Sequence, residues 1–220
     1  MKTRFFFVIY LHNETVKRIL DAMRLIADPM QRNFSHITVK GPYSTKQKKR
    51  LFEDNKLIQG KEIKVNGVGN FFTESQNTVF LNCEDKQELT TIWKSKEEKT
   101  YREFHPHITI YDGDNKLFAR KLFDTINAHN INFSFIVDRL DLYSSADKMK
   151  LFNLSQIDYS LISKIAGFNI QHDNIDKLSD NQKISIINKL CVILEGVENI
   201  AEDSNASPDY LYEHSLLLEA

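Results

Sequence analysis

Two periods alternate along the chain. Residues 4–12 form an unbroken aromatic and β-branched run, the composition of a core strand. Asn13 can cap the next segment, where Val16, Ile19, Leu20, Met23 and Ile26 recur at helical spacing until Pro29 ends the pattern. The period returns to two in Ser35-His36-Ile37-Thr38-Val39-Lys40, a strand stopped by Gly41-Pro42. A basic segment around Lys46–Arg50 reads as a short helix or a loop. Residues 61–72 and 78–84 read as two strands, turned by Glu74-Ser75-Gln76-Asn77, and 86–95 as a helix. Residues 107–111 predict a strand of the same type as 36–40. A helix over about 115–129 carries Phe118, Leu122 and Ile126 on one stripe, and 131–143 predicts one long strand.

A His-Ile-Thr strand near a helix thus occurs twice, about half a domain apart, which suggests a duplicated architecture with a cleft between two lobes. From about residue 154 the pattern turns helical. Ser179-Asp180-Asn181-Gln182 resembles a capping box and leads into Ile184, Ile187, Leu190, Cys191, Leu194 and Val197. Ser207-Pro208 looks like a cap with a first-turn proline for a last helix. Residues 1–153 are therefore read as the main domain and 154–220 as a helical C-terminal extension. Its apolar stripe suits helix packing, or a homodimer contact, better than a ligand pocket.

With 220 residues and 41% hydrophobic side chains the chain can build a core, and a disordered chain is disfavoured. The 29 basic and 30 acidic side chains leave a formal charge of -1. The whole molecule therefore has no field that draws in nucleic acid or anionic membrane, so phosphate binding has to be local. Cys83 and Cys191 form no C-x-x-C pair, which disfavours a disulfide framework or a thiolate zinc site and fits a reducing cytoplasm. The apolar N-terminal run stops at His12-Asn13-Glu14 without a small-residue cleavage site and is too short to span a bilayer. No other window reaches membrane length without charges, so no membrane partner is expected.

The chemistry lies in His36-Ile37-Thr38-Val39 and His107-Ile108-Thr109-Ile110. On a strand, residues i and i+2 share a face, so each strand offers an imidazole beside a hydroxyl with an apolar anchor behind. Phosphoester cleavage needs this set. A neutral histidine takes a proton from the attacking oxygen and a protonated one gives a proton to the leaving oxygen, each worth roughly 10²–10⁴-fold. Histidine serves both tasks because its unperturbed pKa is about 6.5. Two imidazoles at one phosphate also disfavour double protonation. The threonine hydroxyls can donate to the non-bridging oxygens where charge builds. Neither a metal nor another cofactor is called for.

These motifs resemble those of the 2H phosphoesterase superfamily, in particular its bacterial RNA 2′,3′-cyclic phosphodiesterase and 2′,5′ RNA ligase group, whose hallmark is two H-x-T/S-x motifs. Ser35–Pro42 is similar to the extended first motif of many bacterial members, and Leu140-Asp141-Leu142-Tyr143-Ser144-Ser145 to the strand that comes after the second. The resemblance spans about residues 1–152. It implies a bilobal α+β fold with two antiparallel sheets and flanking helices around a central cleft, the catalytic pair being His36 and His107. Residues 154–220 stand outside it as an appendage.

Lys40 shares strand parity with His36 and Thr38 and could reach a phosphate, or is a surface lysine if the strand frays at Gly41. Tyr111 shares parity with His107 and Thr109 and could stack on a base; Tyr43 is a weaker candidate of the same kind. Phe71 and Phe72 read as core or loop packing. His105-Pro106-His107 offers no third ligand at a spacing zinc would need. The run Lys46, Lys48, Lys49, Arg50 is a solvated face or tracks a nucleic-acid backbone. The expected partner is a nucleotide or oligonucleotide, RNA ends included. The leading reading is hydrolysis of a nucleotide phosphodiester. Its rivals are cleavage of cyclic or 2′,5′-linked signalling oligonucleotides and a nucleotide-sensing module with a helical effector tail.

Overall fold

The first apolar run becomes β1 (Phe5–Tyr10), and Asn13 caps α1 (Glu14–Ala27) by accepting a hydrogen bond from the Val16 amide. Next come β2 (His36–Tyr43), α2 (Lys48–Ile58), β3 (Glu62–Phe72), β4 (Asn77–Cys83) and α3 (Gln87–Trp93). β5 (His107–Asp112), α4 (Lys116–Asn127), β6 (Asn132–Ile136), β7 (Asp141–Ser144), α5 (Tyr159–Ala166) and α6 (Asp180–Gly196) complete the order. This computed structural model describes residues 3–29, 34–84, 87–94, 104–145, 159–171 and 174–197.

One seven-stranded sheet, ordered β6-β3-β4-β5-β2-β1-β7 and antiparallel at every junction, replaces the two sheets expected. The two halves are there, β6-β3-β4-β5 and β2-β1-β7, but Ile37 opposite Ile108 joins them. A repeated strand pattern reveals two halves and is silent on whether their facing strands pair. Pairing them satisfies backbone groups that two open edges would leave bare.

The long strand expected over 131–143 is two strands. β6 pairs with β3 at one edge of the sheet, and β7 pairs with β1 at the other. Alternation runs on through Phe133, Phe135 and Val137, all buried, so periodicity does not register the change of partner. The link from Ile136 to Asp141 can reach at most roughly 18 Å. The sheet therefore curves until its two edges approach each other. Strand β2 also runs through Gly41-Pro42 instead of stopping there. Gly41 sits at φ +129° with the Phe5 carbonyl 2.8 Å from where a Cβ would be, so a side chain there meets both backbone strain and a clash.

Helices α1, α4, α5 and α6 share one hydrophobic core with the sheet. Helix α6 packs on α1 and α4 through Ile186, Ile187, Leu190, Cys191 and Leu194. It is pinned alongside α4 at both ends. Asn115 meets Asp180 at one end, and His129 and Asn130 meet Glu195 at the other. Its N-terminus carries the expected capping box of Ser179 and Gln182. Of the two roles the sequence leaves to the apolar stripe, the structure uses helix packing. The described part of the extension is thus continuous with the main core; the 153/154 boundary and the helix expected at Ser207-Pro208 lie outside the described residues. No described helix is long and apolar enough to cross a membrane.

Candidate active site

Ile37 and Ile108 face each other across the central seam and are fully buried. The residues flanking them, His36 and Thr38 on β2 and His107 and Thr109 on β5, therefore project together from the other face of the sheet. Antiparallel register sets His36 across from Thr109 and Thr38 across from His107. The four motif side chains thus meet on neighbouring strands in approximately twofold symmetry.

The two imidazoles are anchored identically. Nδ1 of His36 lies 2.7 Å from the Phe34 carbonyl, and Nδ1 of His107 lies 2.6 Å from the His105 carbonyl. A carbonyl oxygen only accepts, so each Nδ1 carries the proton and donates it. In each neutral ring that leaves the lone pair on Nε2, ready to take a proton or, once charged, to give one.

Aromatic rings flank both histidines. His36 lies between Tyr10, 5.8 Å away edge-on, and Tyr143, 6.0 Å away and stacked. His107 lies between Phe80 at 4.6 Å and Phe71 at 5.4 Å. Phe80 can lie this way because its neighbour on β3 is Gly69, where a Cβ would come 2.4 Å from the ring. Burial among these groups pushes the His36 pKa down to about 4, helped by the Arg24 guanidinium. Burial also lowers the pKa of His107, with the His105 imidazole acting the same way, against the hydrogen bond to the His105 carbonyl and the Asp112 carboxylate. Burial, then Asp141, raises the Tyr10 phenol to about 12, so it stays protonated and can donate.

Lys40, Tyr111 and Tyr43 do not join this face. Between Phe7 and Val8 the β1–β2 register skips a residue on β2, so Lys40 pairs with Phe7 and turns to the back of the sheet. There it is 1% exposed, with Nζ donating to the Trp93 carbonyl at 2.5 Å. The β4–β5 register skips in the same way between Val79 and Phe80, so Tyr111 pairs with Val79 and also turns back. It packs on Phe118 of α4, 5.2 Å between ring centroids, and its hydroxyl accepts from the Asn115 amide. An extra residue in one strand reverses the parity of everything beyond it. Tyr43 is buried against Phe7, 5.2 Å between rings, with Arg50 over its face.

The sequence did not single out Tyr10, Tyr143, Phe80, Asp112 or Arg24. Arg24 gave no signal in the pattern, since Lys17 and Asp21 lie seven and three residues earlier on the same side of α1. It is 4% exposed and Nη1 donates to the Thr109 carbonyl. The other histidines serve structure: His12 meets Asp138, His129 bridges to Glu195 and Asn188, and the His105 carbonyl anchors His107. His172 and His214 lie outside the described residues. Among the described residues no three His, Cys, Asp or Glu side chains are placed to hold a metal ion.

An α+β protein whose sheet brings two His-x-Thr strands side by side resembles the 2H phosphoesterases. Residues 12–148 match the model of the 2′-5′ RNA ligase superfamily, and the chain belongs to that family, a branch of the 2H phosphoesterases. Membership indicates a phosphoesterase or ligase enzyme. No curated protein matches the chain.

Proposed function

We propose that the protein is a metal-independent phosphodiesterase that hydrolyses nucleotide or RNA phosphodiesters, most simply 2′,3′-cyclic phosphates, with His36 and His107 as the acid–base pair. The reading is carried by the matched anchoring of the two imidazoles, which hands each Nε2 to the same face of the sheet. One ring accepts the proton of the attacking water, and the other protonates the leaving ribose oxygen. Thr38 and Thr109, the first exposed and the second half-buried, supply hydroxyls to the non-bridging oxygens. All the proton traffic of the reaction is met by this pair, so a metal has no step to perform.

The test is turnover of a panel of 2′,3′-cyclic nucleotides, cyclic-phosphate-ended RNA and 2′,5′- and 3′,5′-linked oligonucleotides in excess EDTA, with products separated by chromatography. Turnover that survives chelation and is lost in both His36→Ala and His107→Ala is expected. Binding without turnover on any member would transfer the protein to the nucleotide-sensing reading, and loss of activity in EDTA would end the metal-independent one.

A further inference from the structure

Arg24 has no part in the chemistry above, yet its guanidinium is buried at the seam. It sits in the last turn of α1 and bonds the carbonyl of Thr109, a residue of the second motif, while lying within electrostatic reach of His36, a residue of the first. Its Nε–H is buried without a hydrogen-bond partner among the described residues. A buried cation with an unused donor is a liability for folding, since an apolar side chain of similar size often serves stability as well or better. The charge therefore calls for a role in the site.

We propose that Arg24 is a positioning residue that makes the two imidazoles unequal, holding His36 as the proton acceptor and leaving His107 as the proton donor. This rests on the phosphodiesterase reading and assigns the roles within it. A buried cation next to an imidazole opposes its protonation and favours the neutral, basic form. Around His107 the hydrogen bond to the His105 carbonyl and the Asp112 carboxylate favour the charged form while the His105 imidazole opposes it, and no buried guanidinium among the described residues acts on this ring. Other groups surround the pair: the Tyr10 and Tyr143 phenols and His107 act about the His36 ring, and Asp21, Asp28 and Asp112 act on the guanidinium, Asp21 also taking the Ser35 amide and the Lys17 ammonium. Asp141 acts on Tyr10 beyond them. The Tyr10 phenol stays protonated, so Arg24 is the cation set against His36.

In the hydrolytic step the water oxygen bonds to phosphorus as the bond from phosphorus to the ribose oxygen breaks. The water proton passes to Nε2 of His36, and the Nε2 proton of His107 passes to the departing oxygen. The rings then exchange these protons with solvent, so one water is consumed and each imidazole returns to its starting state.

Two measurements test this. The first tracks the imidazole resonances of the whole protein by NMR against pH, without substrate, in wild type, Arg24→Met and Arg24→Lys. The His36 titration is expected to move up by about one pH unit in Arg24→Met and by much less in Arg24→Lys, with His107 moving little in either. Equal movement of both rings, no movement, or a shift in Arg24→Lys as large as in Arg24→Met would overturn the proposal. If Arg24→Met does not fold, Arg24→Gln takes its place.

The second measurement uses a nucleoside 3′-phosphate ester of 4-nitrophenol, whose aryloxide departs without being protonated. Activity on it is expected to return in His107→Ala and to remain lost in His36→Ala. Rescue of His36→Ala instead would reverse the roles and sink the assignment. The NMR result stands whether or not any phosphodiester is cleaved, so failure of the function and failure of the Arg24 role are separately visible.

Discussion

The half of the sheet that carries His36 and the half that carries His107 use the same backbone device with different side chains around it. In both, Nδ1 of the histidine donates to the carbonyl two residues earlier, a threonine stands at i+2, and a skipped register turns residue i+4 to the back. The surroundings differ. His36 is flanked by two phenols and the Arg24 cation, and His107 by two hydrocarbon rings and Asp112. Duplicated geometry brings both imidazoles to one face of the sheet, and unequal neighbours place them in unequal fields, on which the proposed division of roles rests.

The largest break in this comparison comes from deleting either ring. His36→Ala and His107→Ala are each expected to lower kcat on a ribose-leaving substrate by about 10²–10⁴-fold. The double variant should be little worse than either single one, because two groups acting in a single step are not additive. A double loss equal to the product of the single losses, in steady-state assays of all four proteins, would mean that the rings act in separate steps. Smaller effects are expected at the hydroxyls. Thr38→Val and Thr109→Val keep the β-branched shape and remove one donor each, and should cost about 10–10³-fold in kcat with KM nearly unchanged. If only one of them matters, the oxyanion is held from a single half of the sheet.

The bulges allow a third comparison, between residues that strand parity would send forward and the structure sends back. Lys40→Met leaves the Trp93 carbonyl without its donor and is expected to cost about 2–3 kcal/mol in denaturant unfolding, with kcat/KM held. Tyr111→Phe loses only the bond from the Asn115 amide and should cost about 1 kcal/mol. A raised KM for either variant without lost stability would put that side chain back on the catalytic face.

Those same bulges mark where the sequence stops being legible. The pair His36-Thr38 and the pair His107-Thr109 were readable, since two residues at strand spacing with buried isoleucines between them fix a face. Lys40 and Tyr111 were not, because one extra residue in a strand leaves composition unchanged and reverses the facing of every later residue. Helices α1 and α6 were legible from their caps, Asn13 and Ser179, and α4 from its apolar stripe. The fate of 131–143 was hidden for another reason. The same alternation serves β6 at one edge and β7 at the other, and which partner a strand finds is decided by tertiary contacts. Arg24 belongs to that class too, since only the folded seam brings a charge from α1 to the Thr109 carbonyl, opposite a histidine of β2.

A last effect, of about the same size, concerns stability and pH, and it bears on the inequality of the two halves without any substrate. With its pKa lowered from 6.5 to about 4, His36 stays neutral in the folded chain over a range where the unfolded chain protonates it. The unfolded state therefore binds more protons in that range, and stability must fall as pH drops from 6.5 towards 4. Above 6.5 both states are neutral at this ring and its contribution is fully present. Carboxylates titrate over part of the same range, so the useful quantity is the difference between wild type and His36→Gln, a neutral side chain of comparable reach. In urea unfolding at a series of pH values, wild type should lose about 1–2 kcal/mol more than His36→Gln between pH 7 and pH 5. His107→Gln should show a difference of the same sign and smaller size, since the hydrogen bond to the His105 carbonyl and the Asp112 carboxylate offset part of the burial there. Identical slopes for the two variants would mean that the two imidazoles sit in equivalent fields, and that only the substrate tells them apart.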